Sequence, residues 1–146
     1  MTSIESGLAE HNTPIRLLLV DIHAISRTSS RLLLDSFPSL SVLGETSDYL
    51  EALNMVAVLQ PDVVLISMRV QGATGPETAR QILKIQPTTK IIFLTLFDDP
   101  EYVRSALDAG AHAYVLKQEP AGLVLEAIDR VMRGEIYLSP GLNHKN

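Results

Sequence analysis

Four polar residues interrupt this sequence where its apolar runs end. Asp21 follows Leu17-Leu18-Leu19-Val20, and Ser67 follows Val63-Val64-Leu65-Ile66. Thr95 follows Ile91-Ile92-Phe93-Leu94, and Lys117 follows Ala113-Tyr114-Val115-Leu116. Together they are an acid, two hydroxyls and an ammonium, groups that phosphoryl chemistry uses. Any one alone reads as a polar residue that ends a strand. As a set they read as a site, provided the fold brings them to one edge.

The elements that would do so are legible. The four runs and a fifth, Ser41-Val42-Leu43-Gly44, are mostly continuous rather than alternating, which marks strands buried on both faces of a parallel sheet. Helix-length segments separate them. Ala24–Ser36 follows the first run. Tyr49–Leu59 follows the second, with Asp48 as its N-cap and Pro61 beyond its end. Pro76–Ile85 carries a proline at its first position. Pro100–Ala109 has Asp99 to cap it and Gly110 to stop it. In the last helix, Pro120–Arg133, Val124, Ala127, Ile128 and Val131 form one apolar face, and Gly134 closes it. This βα alternation predicts a doubly wound five-stranded parallel sheet with right-handed crossovers. Such sheets place their functional groups beyond the carboxyl ends of the strands, where the four polar residues lie.

Composition agrees with a single globular α/β domain. The chain has 146 residues, 46% hydrophobic and 20% charged, with a formal net charge of −5. An acidic surface repels a phosphate backbone, so direct nucleic-acid binding is not expected. The chain has no cysteine, which excludes disulfides and thiolate metal sites. No apolar run approaches the roughly 20 residues that span a bilayer. A soluble cytoplasmic protein without membrane contact is expected. Residues 1–14 read as a flexible N-terminal segment, 15–134 as the domain, and 135–146 as a linker or tail.

Several segments match a known family in order and spacing. They are Ile15-Arg16-Leu17-Leu18-Leu19-Val20-Asp21-Ile22-His23, Gln60-Pro61-Asp62-Val63-Val64-Leu65-Ile66-Ser67-Met68-Arg69, Leu94-Thr95-Leu96-Phe97-Asp98-Asp99 and Ala109-Gly110-Ala111-His112-Ala113-Tyr114-Val115-Leu116-Lys117. Over about residues 15–140 the chain resembles a response-regulator receiver domain of the NarL/FixJ (LuxR-type) branch. The closing Gly134-Glu135-Ile136-Tyr137-Leu138-Ser139-Pro140 resembles the same branch, where it leads to a helix-turn-helix. The resemblance implies a flavodoxin-like (βα)5 fold with strand order 2-1-3-4-5. It also implies that Thr95 and Lys117 occupy phosphoryl-contacting positions, that Tyr114 is the switch aromatic, and that Asp21 is one of two metal-binding acids.

Two departures decide the chemistry. Ser67 stands where the family's phospho-accepting aspartate is usual, and Ile22 stands where the second acid is usual. A third and lesser one is Gln71, in place of a common proline. A carboxylate is already an anion at neutral pH, whereas a serine hydroxyl needs a general base and is one bond shorter. Magnesium prefers several oxygen ligands, and each missing carboxylate loses on the order of a few kcal/mol. The expectation is therefore a receiver independent of phosphorylation, with no catalytic residue, no cofactor, no metal site and weak or absent Mg²⁺ binding. Lys117 is left with Asp21 as its natural ion-pair partner. Thr95 is expected to bond Ser67 or a loop amide.

Other residues carry less. His23 reads as a loop residue, and His11, His112 and His144 form no ligand spacing. Ser26-Arg27-Thr28-Ser29-Ser30 lacks glycines and lies inside a helix, which argues against a phosphate cradle. Gly72-Ala73-Thr74-Gly75 reads as a turn before a helix. Asp98-Asp99 reads as a helix-start pair. As displaced acceptors, Asp62 lies at the wrong end of its strand and Asp98 in a loop. The resemblance implies protein partners: a homodimer through the last helix or the segment 102–114, and a histidine kinase with doubtful phosphotransfer. It implies contact with DNA only through a C-terminal helix-turn-helix absent from these residues. The alternatives are a flavodoxin-like small-molecule-binding module and a stand-alone dimerisation domain.

Overall fold

The computed structural model describes Ile4, Gly7, Leu8 and residues 13–145. In chain order the elements are β1 (Ile15–Val20), α1 (Ala24–Asp35), β2 (Leu40–Thr46), α2 (Tyr49–Leu59), β3 (Val63–Ile66), β4 (Arg69–Val70), β5 (Ala73–Thr74), α3 (Gly75–Ile85), β6 (Lys90–Thr95), α4 (Pro100–Asp108), β7 (Ala113–Leu116), α5 (Gly122–Met132), β8 (Tyr137–Leu138) and a 3₁₀ helix (Pro140–Lys145).

The main sheet runs β2-β1-β3-β6-β7-β8 and is parallel throughout. Its first five strands have the expected order. The sixth, Tyr137–Leu138, pairs with Ala113–Tyr114 and extends the sheet past the range read as the domain. Alternate residues of each central strand enter opposite cores. Leu18, Val64, Ile91 and Tyr114 join the cluster under α2, α3 and α4, and Leu17, Val63, Ile92 and Ala113 the cluster with α5. Both faces are thus dry, the physical reason for continuous apolar runs.

Local signals set most boundaries. Asp48 accepts from the Glu51 amide at 2.9 Å and starts α2, and Gln60 ends it in the left-handed region at φ 50°. Asp99 precedes α4, but its side chain makes no capping bond, so Pro100 in the first turn supplies the start. The last helix begins at Gly122 rather than Pro120, because Leu123 and Val124 first close tight i,i+3 bonds to Pro120 and Ala121. The stretch read as one turn, 72–75, divides. Gln71-Gly72 turns a two-stranded hairpin, β5 follows, Thr74 caps α3 through the Glu77 amide at 3.1 Å, and Gly75 is already helical.

Most of the segment read as flexible, 1–14, lies outside the described residues. Among those described, Leu8 is fully buried in the α5-side core.

Candidate functional site

The carboxyl ends of β1, β3, β6 and β7 deliver Asp21, Ser67, Thr95 and Lys117 to one edge. Strand register explains it: Val20 pairs with Ile66, Ile66 with Phe93, and Thr95 with Leu116. Backbone bonds continue past the strands, from Ser67 N to Val20 O at 3.0 Å and from Lys117 N to Thr95 O at 2.8 Å. Ser67, Thr95 and Lys117 line one open cleft of about 240 Å³ with His23, Arg69 and Leu96. Asp21 borders a small adjoining recess with Ser67 and Arg27.

Asp21 is buried and fully engaged. Its Oδ2 accepts from Lys117 Nζ at 3.0 Å, and its Oδ1 accepts from the His23 amide at 2.9 Å. Burial pushes the carboxyl up, but the His23 amide, the Ser26 hydroxyl and the Lys117 ammonium together outweigh it. Asp21 is therefore held below the usual carboxylate range. Arg27 fastens the same turn by donating to the Asp21 carbonyl at 2.5 Å.

Ser67 does not meet Thr95. Its hydroxyl donates to Arg69 O at 2.7 Å. Of the two partners foreseen for Thr95, the loop amide is the one formed, with Phe97 N donating to Thr95 Oγ1 at 3.1 Å. Tyr114 is fully buried beside Phe93, with ring centroids 6.2 Å apart. Its hydroxyl donates to Phe97 O at 2.6 Å. Thr95 and Tyr114 thus grip one loop residue, through its amide and its carbonyl. Burial pushes the Tyr114 hydroxyl far above its ordinary range, and Asp99 and Asp98 add to that against an opposing bond with Thr95.

The residues present do not fit a magnesium ion. Ile22 presents an alkyl group, 40% exposed, and both Asp21 oxygens already accept hydrogen bonds. Among the described residues, no group of three or more His, Asp or Glu is placed to hold a metal. The acids considered as substitutes stand apart. Asp62 is at the far end of β3, bonded to the Arg16 amide at 2.9 Å, and Asp98 lies in the loop after β6. His112 accepts from Ile91 N at 3.0 Å, and burial, with Lys90 adding to it, pushes its pKa down, so it is a neutral structural acceptor. His11 and the side chain of His144 lie outside the described residues.

The sequence reading missed the contacts of three residues. Ser26 reaches Asp21 from inside α1. Arg69 enters the cleft with its guanidinium 5.9 Å from the Phe97 ring centroid. Gln71 donates its amide to Ser47 O at 2.8 Å, a bond that a proline could not make. The place of Arg69 two residues after Ser67, just past the end of β3, was the available signal for it.

The family model for the response regulator receiver domain matches residues 17–129. The chain belongs to that family. Its receiver is 36% identical over 121 residues to the transcriptional regulatory protein LiaR of Bacillus subtilis, covering 83% of this chain and 57% of LiaR. It is 32% identical over 127 residues to the oxygen regulatory protein NreC of Staphylococcus carnosus, covering 86% and 58%. The receiver chain thus spans a little over half the length of these curated relatives. Among solved structures, a LuxR-family two-component response regulator from Aurantimonas superposes with a TM-score of 0.86 at 28% identity, covering 91% of this chain and 95% of that one. The receiver domain of NarL from Mycobacterium tuberculosis gives 0.79 at 26%, covering 84% and 99%. The receiver is of the LuxR/NarL type. No helix among its described residues is long and apolar enough to cross a membrane.

Proposed function

We propose that this receiver signals through protein contacts without aspartyl phosphorylation, and that it regulates transcription through an effector domain outside these residues. The observation that carries the reading is the committed state of the strand-end groups. Asp21 is held by Lys117, and the Ser67 hydroxyl is spent on Arg69 O. A hydroxyl so bonded points at a carbonyl oxygen that cannot take its proton, and attack on a phosphoryl donor would first break that bond. The single remaining acid supports weak Mg²⁺ binding or none. Thr95 and Tyr114 remain as a relay whose input is altered. The partners are a second copy of the chain and the effector domain; a histidine kinase would dock without transferring phosphate.

Incubation with acetyl phosphate and Mg²⁺, followed by intact-mass spectrometry, tests the reading. No mass gain is expected. A stoichiometric phosphoryl adduct on Ser67 or Asp21 would overturn it.

The open cleft favours one further reading, a noncovalent small-molecule ligand seated among His23, Ser67, Arg69 and Lys117. Native mass spectrometry of the purified protein tests it through a co-purifying ligand.

A further inference from the structure

Beyond α5 the chain turns back onto the domain. Gly134 takes a left-handed φ of 84°, and Tyr137–Leu138 joins the sheet. Ser139 is fully buried, and its amide donates to the Tyr114 carbonyl at 2.9 Å. Its hydroxyl donates to Glu119 Oε1 at 2.6 Å and accepts from the Leu116 amide at 3.3 Å. The same carboxylate oxygen accepts from the Gly141 amide at 3.1 Å. Leu142 then buries itself in the cluster that holds Tyr114, and its amide closes onto Ser139 O at 3.0 Å.

We propose that Glu119 is a latch that holds the exit segment Ser139–Leu142 on the sheet edge and couples its docking to the strand-end cleft. Glu119 lies two residues past Lys117, in one turn. That turn is closed by Glu119 N to Leu116 O at 3.2 Å and anchored by Lys117 N to Thr95 O at 2.8 Å. A displacement of Lys117 in the cleft therefore moves the carboxylate that holds Ser139 and Gly141.

The latch bonds are of the strong kind. They run from neutral donors to a carboxylate, and Ser139 has no solvent to replace its partner. A Cβ at position 141 would lie 2.6 Å from Glu119 Oε1, the far end of a flexible side chain, so it would displace the carboxylate rather than the backbone. The exit segment and the strand before it bridge both cores: Tyr137 packs in the α5-side cluster and Leu142 in the opposite one. Release at Glu119 loosens both attachments together. The C-terminal end of the chain would then sense the cleft whether or not Ser67 accepts phosphate.

Hydrogen exchange on the whole chain tests the coupling. Glu119→Ala should speed exchange of the Ser139 and Leu142 amides about tenfold or more while β3 and α2 keep their protection. Gly141→Ala, a mild change near the surface, should act in the same direction. Lys117→Met should loosen the same two amides relative to β3. The proposal is overturned if both Glu119→Ala and Gly141→Ala leave those amides protected. Loosening of β3 and α2 to the same degree would also overturn it. So would a Lys117→Met variant with an unchanged exit segment, since the clamp would then be uncoupled from the cleft.

Discussion

Lys117 Nζ sits 3.0 Å from Asp21 Oδ2, joining the ends of β7 and β1 across a separation of 96 residues. Both side chains are largely withdrawn from water, so neither charge is replaced cheaply by solvent. Lys117→Met leaves Asp21 as a buried carboxylate short of a partner and should cost about 1–3 kcal/mol by urea denaturation at neutral pH. Asp21→Asn in the same chain should return part of that loss, because the uncompensated charge is gone.

The same pair sets an acid limb. The folded-state pKa of Asp21 lies below its ordinary value of 3.8, so the unfolded chain binds a proton first as pH falls. The stability it contributes is full above the unfolded value and is lost as pH falls through the folded one. Chemical denaturation between pH 6 and pH 2 should show this loss in the wild type and a shallower loss in Asp21→Asn. Equal slopes would remove Asp21 from the acid response.

Gly75 forms the floor beneath Ser67. A Cβ at 75 would lie 2.2 Å from the Ser67 carbonyl oxygen and 2.8 Å from the Phe93 ring. The first is backbone and cannot swing aside. Gly75→Ala should therefore destabilise the domain by about 1–3 kcal/mol, the range of overpacked cores, despite the better helix propensity of alanine. A thermal midpoint equal to that of the wild type would show that the β3 end gives way easily.

The contrast between those residues explains what was legible in the sequence. The strands could be read because both faces of the sheet are dry and each run is continuous. The site could be read because Asp21, Ser67, Thr95 and Lys117 each break such a run at its end. The Asp21–Lys117 pair followed from charge: once position 67 is a serine, the ammonium has one acid left at its edge. Gly75 was hidden, since a glycine before a helix looks like a turn residue and its close approach to Ser67 is tertiary. The sixth strand was hidden too. Two residues carry no periodicity, and Tyr137–Leu138 is extended by its bonds to β7 rather than by local preference. Ser26 and Glu119 act across loops, with partners that only packing brings near.

Tyr114 offers a probe of the relay. Its hydroxyl holds the Phe97 carbonyl at 2.6 Å, so Tyr114→Phe should lower stability by about 0.5–1.5 kcal/mol and free the loop after β6. The buried hydroxyl is held protonated well above its ordinary value of 10.0. The unfolded chain therefore loses that proton first, and stability should fall as pH rises above 10. In an ultraviolet titration, Tyr114→Phe should shrink the tyrosinate signal that appears only late, leaving the share of Tyr137, whose hydroxyl burial pushes up to about 12. A signal lost from the early, reversible part of the curve would instead mean that Tyr114 is open to water.

Restoring the missing acids should show which loss matters more. Ser67→Asp places a carboxylate beside Asp21, and two like charges at a partly buried edge raise the pKa of one of them. Without a divalent ion the variant should be less stable at neutral pH than the wild type. Ile22→Asp with Ser67→Asp supplies three acids, a set that suits Mg²⁺. Millimolar Mg²⁺ should then raise the thermal midpoint of the double variant, do so weakly for Ser67→Asp, and leave the wild type unmoved. Acetyl phosphate with Mg²⁺ should label the double variant, label Ser67→Asp more slowly, and leave Ile22→Asp alone unlabelled. The ordering follows because position 67 supplies the attacking oxygen and position 22 only helps hold the ion. Labelling of Ile22→Asp without Ser67→Asp would mean that Ser67 is a competent acceptor once a metal is bound.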